Sequence, residues 1–161
     1  MIMEGQNMER EQNLEKIQKE MKPGAISRDG FLGTDQRSLP EILREDDEAV
    51  SRLGATHKAI AEEMRKLRNS GMKGLGDFTR VPPHFEVLVD SFRGKLPCPF
   101  GHPGVIPKIN TVVRNLKTGK EIAYTDMNIH LIAAHGFYEG KGAPFRLEPE
   151  DLVEILEIII K

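Results

Sequence analysis

Thr111-Val112-Val113-Arg114-Asn115-Leu116, Lys117-Thr118-Gly119-Lys120, Glu121-Ile122-Ala123-Tyr124-Thr125 and Asp126-Met127-Asn128-Ile129-His130-Leu131-Ile132-Ala133-Ala134-His135-Gly136 follow one another without a break. Two runs rich in β-branched and aromatic residues flank a short turn containing glycine, which is the pattern of a β-hairpin. The pattern then changes. Asp126 is placed to cap a helix, Met127 to Tyr138 carries no charged residue, and Gly136 supplies the backbone freedom that ends a helix. A hairpin running into a buried helix predicts an α+β fold.

Upstream, Phe85, Val87 and Val89 alternate with Glu86, Leu88 and Asp90, so a further strand is expected there. Lys95 to Pro107, with four prolines and two glycines, reads as an irregular loop, and the Gly- and Pro-rich stretch Gly71 to Pro83 as a joint. Before it, Ser38-Leu39-Pro40-Glu41 has the form of a capping box ahead of an apolar face of Leu39, Ile42, Leu43, Val50 and Leu53. Gly54 stops that helix. Thr56 caps the next, whose face is Ile60, Met64 and Leu67, and the two form an αα-hairpin.

Glu4 to Met21 is rich in helix formers, with a thin stripe of Leu14, Ile17 and Met21 that leaves it frayed or lying on another subunit. Pro149, Glu150 and Asp151 suit the first turn of a last helix. The expected organisation is an N-terminal helix over 1–22, serving homo-oligomerisation, and one α+β domain over 23–161. Within it, 38–71 is helical and 84–161 forms a small antiparallel sheet, a metal-binding hairpin-helix element and a C-terminal helix.

Composition narrows the classes of function. The 161 residues are 39% hydrophobic and 30% charged with a formal net charge of −2, which suits a globular chain and implies no general attraction to nucleic acid or membrane. Residues 92–141 hold seven Lys/Arg against three acids, and Arg114, Lys117 and Lys120 lie on the hairpin. Nucleic-acid binding there is a third-ranked expectation, because aromatics able to stack on bases are few. A single cysteine excludes an internal disulfide. The first twenty residues lack the apolar core of a signal peptide, so a cytoplasmic location and no membrane partner are expected.

The chemistry lies in a cluster of ligand types. The chain has five His and one Cys, and four of these six fall between residues 98 and 135 as Cys98-x3-His102 and His130-x4-His135. A thiolate with three imidazoles is a borderline-soft set that fills a tetrahedron, the preference of Zn²⁺. The Pro- and Gly-rich Pro97-Cys98-Pro99-Phe100-Gly101-His102-Pro103-Gly104 is suited to a tight turn that presets the first pair. Histidines five apart stand about 140° around an ideal helix and do not share a face, which counts against a joint site. Gly136 directly after His135 permits the unwinding that would relieve this.

His57 reads as solvent-facing, His84 as structural, and Arg44-Glu45-Asp46-Asp47-Glu48 as a solvated helix face. Lys141 and Arg146, around Gly140-Lys141-Gly142, read as part of a connection. Phosphate-loop, dinucleotide, serine-hydrolase and H-E-x-x-H motifs are absent from the sequence.

Cys98 to His135 resembles the ββα zinc-finger order, with ligands flanking a hairpin and riding the next helix, at a longer spacing than in nucleic-acid-binding fingers. The two ligand segments, Pro97 to Gly104 and Ile129 to Phe137, also resemble a small family of bacterial proteins with no assigned function. The zinc-finger order implies metal binding and says little about DNA, and the second resemblance carries no activity with it. The leading expectation is a structural zinc site in a binding or regulatory protein. The second is a metal-dependent hydrolase with three protein ligands, a bound water, and Asp126 or Glu139 as general base. No catalytic residue is assigned, and whether the chain is an enzyme stays open at this point.

Overall fold

The computed structural model describes residues 13–158. Residues 1–12 and 159–161 lie outside the described residues, and with them the first part of the 1–22 helix. The chain is α+β: helices surround one four-stranded antiparallel sheet whose strands lie in sequence order.

Residues 13–20 form α1, and its stripe finds cover within the chain. Met21 is fully buried, and Leu14 and Ile17 pack beside it against Phe31, Leu39, Ile42 and Leu131. The described part of this stripe is thus covered within the chain itself. Gln18 fastens it by accepting the Leu39 N–H (3.0 Å).

The αα-hairpin forms as α2 (Leu39–Arg52) and α3 (His57–Gly71). Ser38 and Thr56 cap them, accepting from the Glu41 and Ala59 N–H groups, and Gly54 turns between them at φ 73°. Ile60, Met64 and Leu67 then form one buried face on α3.

After a 3-10 turn (Met72–Gly74) the sheet begins with β1 (Thr79–Val81), inside the stretch read as a joint. Three residues without a clear alternation give no periodic signal, and β1 exists because β2 (Phe85–Pro97) offers it an edge. β2 pairs with β3 (Val105–Asn115) far beyond the expected strand. The register runs from Phe85↔Asn115 to Ser91↔Ile109, shifts at 92–94, and resumes from Lys95↔Pro107 to Pro97↔Val105. The loop expected over 95–107 thus shrinks to 98–104. Bulges tolerate glycine and proline in a way regular strands do not, and Gly94 adopts φ 108° there.

β4 (Lys120–Thr125) completes the expected hairpin. Asn115, almost fully buried, closes its turn by accepting the Lys117 and Thr118 N–H groups, while its amide donates to the Ile155 carbonyl (2.9 Å). Tyr124 donates its hydroxyl to the Met64 carbonyl (2.7 Å), tying β4 to α3.

α4 (Asp126–His135) follows directly, and α5 (Pro149–Ile155) comes last. The cap of α4 is Thr125, not Asp126. Thr125 and Asn128 form a reciprocal capping box, and Asp126 enters the first turn to pair with Arg68. The absence of charge on α4 beyond Asp126 follows from its position. Ile129 and Ile132 face the core between sheet, α3 and α5, whereas Met127 and Leu131 face a second cluster with Phe31, Leu39, Ile42 and Cys98. A helix held between two apolar clusters has little surface left for charge.

Candidate metal centre

β2 delivers Cys98 at its end, the 98–104 loop delivers His102, and α4 delivers His130 and His135. The four residues come together: one donor atom from each lies within 4.8 Å of those of all the others. Cys98 is buried, His130 and His135 are half-buried, and His102 is exposed.

The loop is shaped to present the thiol. The Gly101 N–H donates to the Cys98 carbonyl (3.0 Å), a turn that Gly101 completes at φ 87°. The Phe100 N–H donates to Cys98 Sγ (3.4 Å), an interaction that disperses the charge of a thiolate. The Phe100 ring lies flat on His135, centroids 3.9 Å apart and planes at 9°, and meets Phe137 edge-on at 5.6 Å. His135 Nε2 is then 3.5 Å from Cys98 Sγ.

The angular difficulty of two histidines five apart is met at the helix end. His135 is the last residue of α4, and Gly136 follows at φ 61°. Helical side chains lean back toward the N-terminus, which brings His135 over the turn carrying His130. Their ring centroids are 5.6 Å apart, and His102 reaches both, at 4.4 Å from His135 and 5.2 Å from His130.

Electrostatics keep the rings ready as donors. Burial lowers the His130 pKa, with His102 and Arg65 adding to the effect. Burial holds that of His135 down to about 4, with His102 and His130 contributing. Near neutral pH these imidazoles are therefore uncharged, the form in which they bind a metal. His130 Nε2 is buried without a hydrogen-bond partner among the described residues. A buried unsatisfied nitrogen costs ~1–3 kcal/mol, and a metal ion is one partner that removes the penalty. By donor type, convergence and this orphaned atom, the residues fit a borderline-soft divalent ion.

Other residues singled out in the sequence lie elsewhere. Asp126 shares a shallow groove with His130, yet both its oxygens are taken by Arg68 (3.2 and 2.9 Å). Glu139 is buried against Asn128 and lines a different cleft. Arg146, read as part of a connection, is buried in a bidentate pair with Asp46 (2.6 and 2.9 Å). Asp46 is consequently not on a solvated face; that reading is corrected for it. His84 pairs with Glu157 (2.6 Å), a structural role. On the hairpin, Arg114 pairs with Glu121 and lies over the Phe78 ring, and Lys120 pairs with Glu154.

His57 is half-buried instead of solvent-facing. Its Nε2 contacts Asp47 (2.9 Å), so it donates there, and Nδ1 accepts from the Tyr138 hydroxyl (2.9 Å). The pair His57 and Asp47 borders a cleft of about 790 Å³ that His135 and Phe100 also line. The sequence signal for this was a histidine one residue after a helix cap, too common to select it.

Fold and site together define an α+β protein with a Cys-His₃ cluster able to hold a metal ion. Compared with known proteins, the chain matches no family model, no curated protein and no solved structure. The likeness to zinc fingers accordingly rests on the order of the ligands alone. No helix among the described residues is long and apolar enough to cross a membrane.

Proposed function

We propose that this chain is a zinc protein in which Cys98, His102, His130 and His135 fill the coordination sphere of one ion. The ion is structural: it fastens the far end of the β2–β3 arm and its loop to α4. The protein acts as a binding or regulatory module and does not use the metal for chemistry. The convergence of four donor atoms carries this reading, and the unpartnered Nε2 of His130 adds to it. Four protein ligands leave no coordination position for substrate.

Elemental analysis of protein purified without an affinity tag is expected to find close to one zinc per chain. Cys98→Ser and His130→Gln should each lose the metal and lower the melting temperature by roughly 10 °C, the equivalent of a few kcal/mol for a domain of this size. Unchanged metal content and melting temperature in both variants would refute the proposal.

A second reading, an open three-ligand site, draws on the exposure of His102 and on the cleft at His135. Neither base expected for it stands ready: Arg68 occupies Asp126, and Glu139 lines a different cleft. Cobalt substitution separates the two. A closed site keeps its absorption spectrum when azide is added, whereas an open site shifts as the anion displaces water.

A further inference from the structure

A second cleft, independent of the metal ligands, opens between the bent β2–β3 arm, the 27–31 loop and the start of α4. Its volume is about 280 Å³, near the lower end of small-molecule sites at about 300 Å³. The walls are apolar: Phe31, Phe92, Leu96, Ile106, Met127 and Phe145. Phe92 and Phe145 are half-exposed aromatics, an unusual state for rings of that size, and both stand on this cleft.

Glu139 lines the same space and is only 3% exposed. Its Oε2 accepts from the Asn128 amide (2.9 Å). Oε1 has no donor among the described residues and is not sealed within protein, so the cleft is the space it meets. A carboxyl in apolar surroundings without a cation is costly, and proteins normally pair or avoid it.

The nearest cation is committed elsewhere. The Arg146 guanidinium is bidentate to Asp46 and also bonds Glu148 (3.1 Å twice), and toward Glu139 it donates only to the backbone carbonyl (2.8 Å). Glu139 also holds φ 67°, a conformation that residues other than glycine rarely adopt.

A structural role does not require this side chain. Asn128 needs one acceptor, and its own position is fixed by the capping box with Thr125 and by a bond to the Phe145 carbonyl (3.2 Å). Glutamine would serve Asn128 equally well. What glutamate alone supplies is an ionisable carboxyl, able to become an anion when a cation arrives, at the inner end of an aromatic-walled cleft. The other ionic groups on the cleft, Arg28, Asp29 and Lys108, are exposed.

We propose that this cleft binds a small organic cation, a primary amine on an aromatic body, with its ammonium on Glu139 Oε1 and its ring between Phe92 and Phe145. The ammonium brings donors to the unpartnered oxygen and the countercharge that the protein withholds. The aromatic walls add the attraction of ring faces for cations. Burial already pushes Glu139 up to about 8, and an arriving cation favours its ionised form.

Calorimetric titration of the full chain with 2-phenylethylamine, 2-phenylethanol and 3-phenylpropanoate tests this. The amine should bind at least about tenfold more tightly than the alcohol, and the carboxylate should not bind measurably. Glu139→Gln, which preserves the acceptor for Asn128, should abolish the preference for amine over alcohol. Should that variant fail to fold, Phe145→Ala removes an exposed ring and is expected to weaken the amine about fivefold. Equal binding of amine and alcohol, a preference that survives Glu139→Gln, an unchanged affinity in Phe145→Ala, or no binding of the amine at millimolar concentration would each overturn the proposal.

Discussion

Asp46 and Thr111 show how much a single side chain depends on what faces it. Asp46 sits among four charged neighbours on α2, and its side chain is 6% exposed against 8% for Arg146 across the pair. Removing one member of a buried pair strands the other. Asp46→Ala should therefore cost ~3–5 kcal/mol in urea unfolding, whereas Glu48→Gln on the exposed side of the same run should change little. Thr111 is the reverse case. It is fully buried on β3, and its hydroxyl oxygen has no hydrogen-bond partner among the described residues. Replacing an unpaired hydroxyl by a methyl of similar shape removes a desolvation cost, so Thr111→Val should stabilise the chain by ~1 kcal/mol, seen as a higher melting temperature. A lower melting temperature would show that the hydroxyl has a partner in solution. Neither case is legible along the chain, because an isolated Asp or Thr carries no mark of the side chain that will face it.

Among the elements, those with a repeating pattern were readable and those made by contact were not. The αα-hairpin, the β3–β4 hairpin and α4 follow from periodicity, turn residues and caps that lie within a few positions of one another. β1 and the outer arm of β2 and β3 do not, because their pairing is with distant residues and their composition is that of a loop. The glycines of 140–142 read as a mere connection. In the structure they let two backbone segments touch. A Cβ on Gly140 would stand 2.2 Å from the Leu32 carbonyl oxygen, and one on Gly33 would stand 2.1 Å from the Ala143 nitrogen. Gly140 has ordinary backbone angles, so only this closeness forbids a side chain. Gly140→Ala should force the 30–34 and 140–143 segments apart and cost about 3 kcal/mol, measured by chemical unfolding. A neutral result would mean that the two segments separate readily.

At the scale of the whole molecule, a proton is the most direct probe of how the parts are combined. Burial pushes Glu139 from an ordinary 4.5 up to about 8, against the opposing pull of Asn128 and Arg146. Below pH 4.5 the folded and unfolded chains both hold this proton. Between about 4.5 and 8 the unfolded chain releases it and the folded chain does not. The folded state then binds more protons, and stability falls as pH rises through that window before levelling off, by an amount on the order of a few kcal/mol. His130 and His135, whose values are lowered, act in the opposite sense as pH falls. Comparing the pH dependence of unfolding in the native chain and in Glu139→Gln cancels the histidines. The variant should lack the downward slope, and parallel curves would place Glu139 in contact with water.

Taken alone, the order of residues was enough to predict a mixed fold, to locate most helix caps and the β3–β4 hairpin, and to single out Cys98, His102, His130 and His135 as one set. Those features depend on neighbours in the chain, on turn chemistry and on an uneven distribution of ligand types. Packing decided whether the four donors meet, which of five consecutive charged residues is buried, and that Glu139 ends at the base of an apolar cleft. Each of these depends on residues that approach from distant parts of the chain, and a buried charge or an orphaned nitrogen exists only once the fold has excluded water from it.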